Sequence, residues 1–140
     1  MTIEKEVFEK IIFLSSKASK EVGGIIGGKD NCISYFAIDE GIHTNERCIY
    51  KPNVIFLNEI INDWEQIGID FYGLFHTHRG GGSLSEKDIR YIKIIMNSMP
   101  NSIKELFFPV INCEEKTMII YMAENKKEDI EIKKINYEII

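Results

Sequence analysis

One short stretch holds most of the chemistry: His76-Thr77-His78-Arg79-Gly80-Gly81-Gly82-Ser83-Leu84-Ser85-Glu86-Lys87-Asp88. Two histidines at i and i+2 of a strand project from the same face. Their imidazoles converge on one ion without bending the backbone, and neutral imidazole nitrogen suits Zn²⁺ at about 2.0–2.1 Å. Asp88, in the first turn of the helix that follows, supplies an oxygen once the loop folds back. Three protein ligands leave a fourth tetrahedral position for water, the pattern of a catalytic zinc rather than a structural one. Plainer readings fit the same residues. An HxH pair is also what two exposed or hydrogen-bonded histidines look like. Ser85-x-x-Asp88 is also a helix capping box, with Ser85 at the N-cap and Asp88 at N3. The two roles of Asp88 are compatible, because a first helical turn holds a carboxylate rigidly in either. The glycine run lacks the GK[ST] ending of a phosphate-binding loop.

A hydrolytic zinc needs a proton acceptor nearby. Glu21, just before Gly23-Gly24, is the candidate by residue type; by spacing alone it reads as a solvated glutamate at a helix end. Arg79 reads as a surface arginine, with a grip on a substrate carboxylate or carbonyl as the alternative. His43 reads as a strand or loop residue, and Phe71, Tyr72, Phe75, Phe107 and Phe108 as core.

The elements that must position these groups follow from periodicity. Ile3, Val7, Ile11 and Leu14 recur on one face of a helix from Thr2 to about Ala18. Glu21–Gly28 and Cys32–Asp39 read as strands, and His43–Tyr50 as another. Asn53 caps a helix with Leu57, Ile61 and Trp64 on one face, stopped by Gly68. Ile69–His76 is a short apolar run between glycine loops, hence a buried strand. Ser85 opens a helix to about Ser98, with Ile89, Ile92 and Met96 on its buried stripe. Glu105–Ile111 and Thr117–Met122 form a hairpin. The tail alternates over Ile130 and Ile132, then over Ile135, Tyr137 and Ile139, as though Lys133-Lys134 formed a bulge. The expected fold is α+β, one domain over residues 1–140, with a mixed, mostly antiparallel sheet flanked by about three helices.

Composition narrows the function classes. The chain has 140 residues, 44% hydrophobic and 28% charged, with a net charge of -5, an ordinary globular balance. The acidic charge, with no basic block, argues against direct binding of a nucleic-acid duplex. No apolar run is long enough to span a membrane, and Met1–Lys10 lacks a secretory signal's apolar region. Cys32, Cys48 and Cys113 are widely spaced with no CxxC pair, which disfavours a disulfide framework and fits reduced thiols in the cytoplasm.

The combination of Glu21-x-Gly23-Gly24-x-x-Gly27, then His76-x-His78, then Ser85-x-x-Asp88 resembles the JAMM metalloproteases, also called MPN-plus or JAB-domain proteins. The resemblance runs from Glu21 to Asp88, and the flanking helices fit it. It implies a JAB/MPN-like fold, with the architecture shared by cytidine deaminases. It implies that His76, His78 and Asp88 bind Zn²⁺, that Glu21 hydrogen-bonds the zinc-bound water and serves as general base and then general acid, and that Ser85 stabilises an oxyanion. Two departures stand out. Six residues, Arg79–Leu84, separate His78 from Ser85 where the family usually has seven, and Arg79 stands where proline is common. Successive glycines let a shorter loop close.

The resemblance further implies cleavage of peptide or isopeptide bonds after the C-terminal glycine tail of a ubiquitin-like or sulfur-carrier protein, by a compact enzyme of the prokaryotic type. The glycine tail would lie extended beside a sheet edge. Two other readings belong to different classes. One is a scaffold or interaction module of the same fold with a disarmed site. The other is a DNA-associated role, which the acidic charge opposes. A zinc nucleoside deaminase would need HxE and PCxxC signatures, and neither is present.

Overall fold

The computed structural model describes residues 1–18, 20–42, 50–81 and 83–140. The strand expected at His43–Tyr50 falls almost wholly outside them, as do His43 and Cys48. Among the described residues, eight strands and three helices follow in the order β1 (Thr2–Ile3), α1 (Lys5–Lys17), β2 (Gly23–Lys29), β3 (Cys32–Asp39), α2 (Val54–Gln66), β4 (Asp70–His78), α3 (Glu86–Ser98), β5 (Glu105–Asn112), β6 (Thr117–Asn125), β7 (Ile130–Ile135) and β8 (Glu138–Ile139). The strands form one mixed sheet in the order β7-β6-β5-β4-β2-β3-β1-β8. β2 is antiparallel to β3 and β4, whereas β4 and β5 run parallel, with α3 between them in the chain.

Three apolar clusters hold helices to the sheet. Val7, Ile11 and Ile12 of α1 pack on Ile26, Ile33, Phe75 and Ile111. Leu57 and Trp64 of α2 pack on Ile25. Ile92 and Met96 of α3 pack on Leu106, Phe108 and Ala123.

β4 contains the feature that orients the site. Gly27 pairs with Phe71 and Ile26 with Gly73, leaving Tyr72 as the extra residue of a β-bulge. A bulge shifts the alternation of faces by one. Tyr72 and Phe75 therefore join the α1 cluster, and Phe71 and Leu74 join those of α2 and α3. Continuing that alternation, His76 and His78 share the face of Leu74, toward α3, and Thr77 lies opposite. Gly73 makes the bulge possible: it has φ of +153°, and a Cβ there would overlap the carbonyl of Phe107.

Three expectations are corrected. Thr2–Ile3 is a strand parallel to β3 and β8, so α1 begins later. Leu14 is exposed, and Ile12 and Ser15 are buried in its place. Lys133-Lys134 forms no bulge: β7 pairs with β6 without interruption from Ile130 to Ile135. The phase change beyond it is a break between strands, because β8 pairs with β1 at the far end of the sheet order.

Gly73→Ala should lower unfolding free energy by about 3 kcal/mol, the scale of strained backbone and overpacking. Urea denaturation measures it; a change within experimental error would show that the bulge tolerates a side chain.

Candidate metal centre

The site forms where β4 ends and α3 begins. Gly23 of β2 pairs with His76, and the preceding residue, Val22, is tied to the strand by two hydrogen bonds. The Val22 N–H donates to Thr77 Oγ1 at 2.9 Å, and the Thr77 N–H donates to the Val22 carbonyl at 2.9 Å. Thr77 is 1% exposed. This clamp lies between the two histidines in sequence and fixes the backbone beside Glu21.

α3 supplies the third group through its own cap. Ser85 is the N-cap: its Oγ accepts from the Asp88 N–H at 3.1 Å, and Asp88 Oδ2 accepts from the Ser85 N–H at 3.0 Å. The capping box and the candidate ligand set thus share Asp88. The shortened loop does reach, and Gly81 takes φ of +74° within it.

His76 Nε2 and His78 Nε2 lie 3.0 Å apart, His76 Nε2 is 3.4 Å from Asp88 Oδ1, and His78 Nε2 is 3.2 Å from Asp88 Oδ2. Bonds of about 2.0–2.1 Å to a tetrahedral ion place ligand atoms about 3.3 Å apart. The two imidazoles, and the Asp88 oxygen nearest each (Oδ1 for His76, Oδ2 for His78), lie at separations close to that edge, so the residues present fit a divalent metal ion. Burial raises the Asp88 carboxyl, but the His76 side chain and the Ser85 N–H together outweigh it and hold the group well below the usual carboxylate range. Asp88 is therefore anionic at neutral pH, as a ligand must be.

The group opens onto a cavity of about 580 Å³. Glu21 and Ser85 line it with the two histidines and Asp88, so all five residues singled out from the sequence border one space. Tyr50, Lys51, Pro52, Arg79, Gly80, Lys87 and Tyr91 complete its walls. A buried carboxylate, Asp39, organises that side. It is 4% exposed, and its Oδ1 accepts from the Gly41 N–H at 2.9 Å. Its Oδ2 accepts from Tyr50 Oη at 2.9 Å and from the Asn53 N–H at 2.7 Å. The Tyr50 ring lies against Gly23, where a Cβ would collide with it. Burial and the Asp39 carboxylate raise the Tyr50 phenol far above its usual range and push Tyr91 up to about 12.

No protein-family model matches the chain, and no curated protein does. Many solved structures do, and two of them show what the chain is similar to. Protein DSY2949 from Desulfitobacterium hafniense superposes with a TM-score of 0.69 at 16% identity, covering 99% of this chain and 93% of that one. AF2198, a JAB1/MPN domain protein from Archaeoglobus fulgidus, superposes with a TM-score of 0.55 at 16% identity, covering 100% of this chain and 97% of that one. The chain has a JAB1/MPN-like fold. At this identity the likeness is one of fold, and the site must be argued from its own residues.

Within the JAB1/MPN-like fold, sequence reading missed Thr77, Asp39, Tyr50 and Tyr91. Thr77 carried a faint signal, a β-branched polar residue facing the core. Asp39 carried another, an acid ending an apolar strand just before a glycine.

Asp39→Asn should bring the Tyr91 titration down from about 12 toward its usual value near 10. The folded state favours neutral Tyr91, so its stabilising contribution is complete below about pH 10 and is lost as pH rises toward 12. Ultraviolet phenolate absorbance, with Tyr91→Phe as reference, follows the shift; an unmoved titration would mean that the Asp39 charge does not reach Tyr91.

Proposed function

We propose that this protein is a zinc-dependent hydrolase that cleaves a peptide or isopeptide bond after the glycine tail of a ubiquitin-like or sulfur-carrier protein. The observation that carries the reading is the mutual spacing of His76, His78 and Asp88 at one end of a cavity that Glu21 also lines. A scaffold has no use for such a convergence.

His76, His78 and Asp88 would hold the ion. When bound, zinc supplies a Lewis acid that polarises a carbonyl and acidifies water. Glu21 takes a proton from the attacking water and returns it to the departing amine, acting as base and then as acid. The Val22–Thr77 clamp keeps its backbone fixed through both transfers. Ser85 Oγ accepts from the Asp88 N–H, which leaves its own O–H to donate toward the oxyanion. Tyr50 and Tyr91 narrow the cavity with ring surface, which suits a tail without side chains. The site as a whole favours an extended chain end over a folded surface.

After reconstitution the purified protein should retain about one zinc per chain and cleave a ubiquitin-like fusion after its terminal glycines. Asp88→Ala and His76→Ala should lose the metal. Glu21→Gln should keep the metal and lose turnover. Ser85→Ala should slow turnover about 10²–10³-fold and cost about 1 kcal/mol of stability as a lost cap. Metal analysis and a gel-based cleavage assay decide it: cleavage by Glu21→Gln at the wild-type rate would remove Glu21 from its role, and failure to retain zinc would end the proposal.

A further inference from the structure

The cavity has a second character that the metal ligands do not explain. Lys51, Arg79 and Lys87 all line it, from the segment before α2, the residue after β4 and the first turn of α3. None has a carboxylate oxygen within 4.0 Å among the described residues. The lining thus has three cations against the carboxylates of Glu21 and Asp88, in a chain of net charge -5.

One of the two acids is already engaged. Asp88 is held by His76, His78 and the Ser85 N–H, and a divalent ion beside it would add positive charge. A concave site with apolar walls concentrates such a field. The walls here are Tyr50, Pro52 and Tyr91. An anion entering the cavity would meet Lys51, Arg79 and Lys87 in its lining.

Resting on the hydrolase reading above, we propose that Arg79, with Lys51 and Lys87, recognises a carboxylate on the amine side of the scissile bond. The acyl side ends in glycine and has no side chain to offer, so an anionic group next to the reacting atoms belongs to the leaving amine. Arg79 follows His78 directly, and its planar fork is built for bidentate contact with a carboxylate. The two lysines act as point charges. The reaction is plain hydrolysis: the C–N amide bond breaks, water's hydroxyl adds to the glycine carbonyl carbon, and its proton goes to the amine. The carboxylate leaves unchanged on the released fragment, which is an amino acid or a segment with an acidic residue near the cut.

The test uses one ubiquitin-like protein ending in Gly-Gly, joined through an amide to alanine, to alaninamide or to glutamic acid α-amide. Zinc-loaded protein should cleave at least one carboxylate-bearing substrate with kcat/KM about tenfold above alaninamide, mainly through KM, for about 1.4 kcal/mol of added binding. Preference for alanine assigns the α-carboxylate, and preference for the glutamic acid amide assigns an acidic side chain. Arg79→Gln combined with Lys51→Gln should bring the ratio to within about twofold, and added salt should shrink it in the unmodified protein. Equal cleavage of all three substrates would overturn the proposal and leave the hydrolase reading standing. Binding gives a readout without turnover: zinc-loaded Glu21→Gln should bind the peptide Gly-Gly-Ala more tightly than its amide in a calorimeter. Equal affinities there would overturn the carboxylate site even if nothing were cleaved.

Discussion

An extended strand presents alternate side chains to opposite faces, so one inserted residue exchanges those faces for everything that follows. In β4 the inserted residue is Tyr72, and Gly73 is the position that lets Phe107 approach closely enough for the sheet to continue past it. Before the insertion Phe71 faces α2 and α3; after it Leu74 does, and with it His76 and His78. Were Tyr72 accommodated without a bulge, the histidines and the apolar residues preceding them could not both occupy the faces they do. The site therefore depends on the register between β2 and β4 more than on the glycine loop beside it.

Two rigid supports converge on that strand end. From one side, α3 is held by Ile92 and Met96 against Leu106 and Phe108, and its capping box fixes Asp88 at the first turn. From the other, the Val22–Thr77 hydrogen bonds fix the approach to Glu21. The wall of Tyr50 to Pro52 is held separately, by a buried carboxylate that gathers hydrogen bonds from Gly41, Tyr50 and Asn53. The Val22–Thr77 contact is buried and the Asp39 contacts are partly so, the condition under which such contacts keep their strength, whereas the capping box sits at an exposed helix end. Together they bring the three candidate ligands side by side in a cavity whose remaining charge is positive.

The parts of this arrangement that depend on local spacing were legible in the sequence. His76-x-His78 and Ser85-x-x-Asp88 announce a strand end and a capped helix, and both elements are present. What sequence periodicity does not reveal is pairing over distance. Val22 and Thr77 are 55 residues apart, and no local pattern joins them. For the same reason Glu21 looked like a solvated helix-end residue until the family resemblance gave it a role, and Asp39 drew no attention. The missed bulge at Tyr72 and the bulge wrongly expected at Lys133-Lys134 share a cause. A phase change in apolar alternation marks either an inserted residue or a strand break, and only the partner strand distinguishes them. The short β1 was hidden because Ile3 fits the period of the helix that follows.

All of this chemistry requires His76, His78 and Asp88 to hold one metal ion with an open side facing the cavity. Anomalous diffraction at the zinc absorption edge, from crystals of the zinc-loaded protein, tests it directly. The expected map has a single strong peak about 2.0–2.2 Å from both imidazole Nε2 atoms and from an Asp88 oxygen, with Glu21 on its unligated side. A peak at other residues, or none while the two histidines remain side by side, would contradict it.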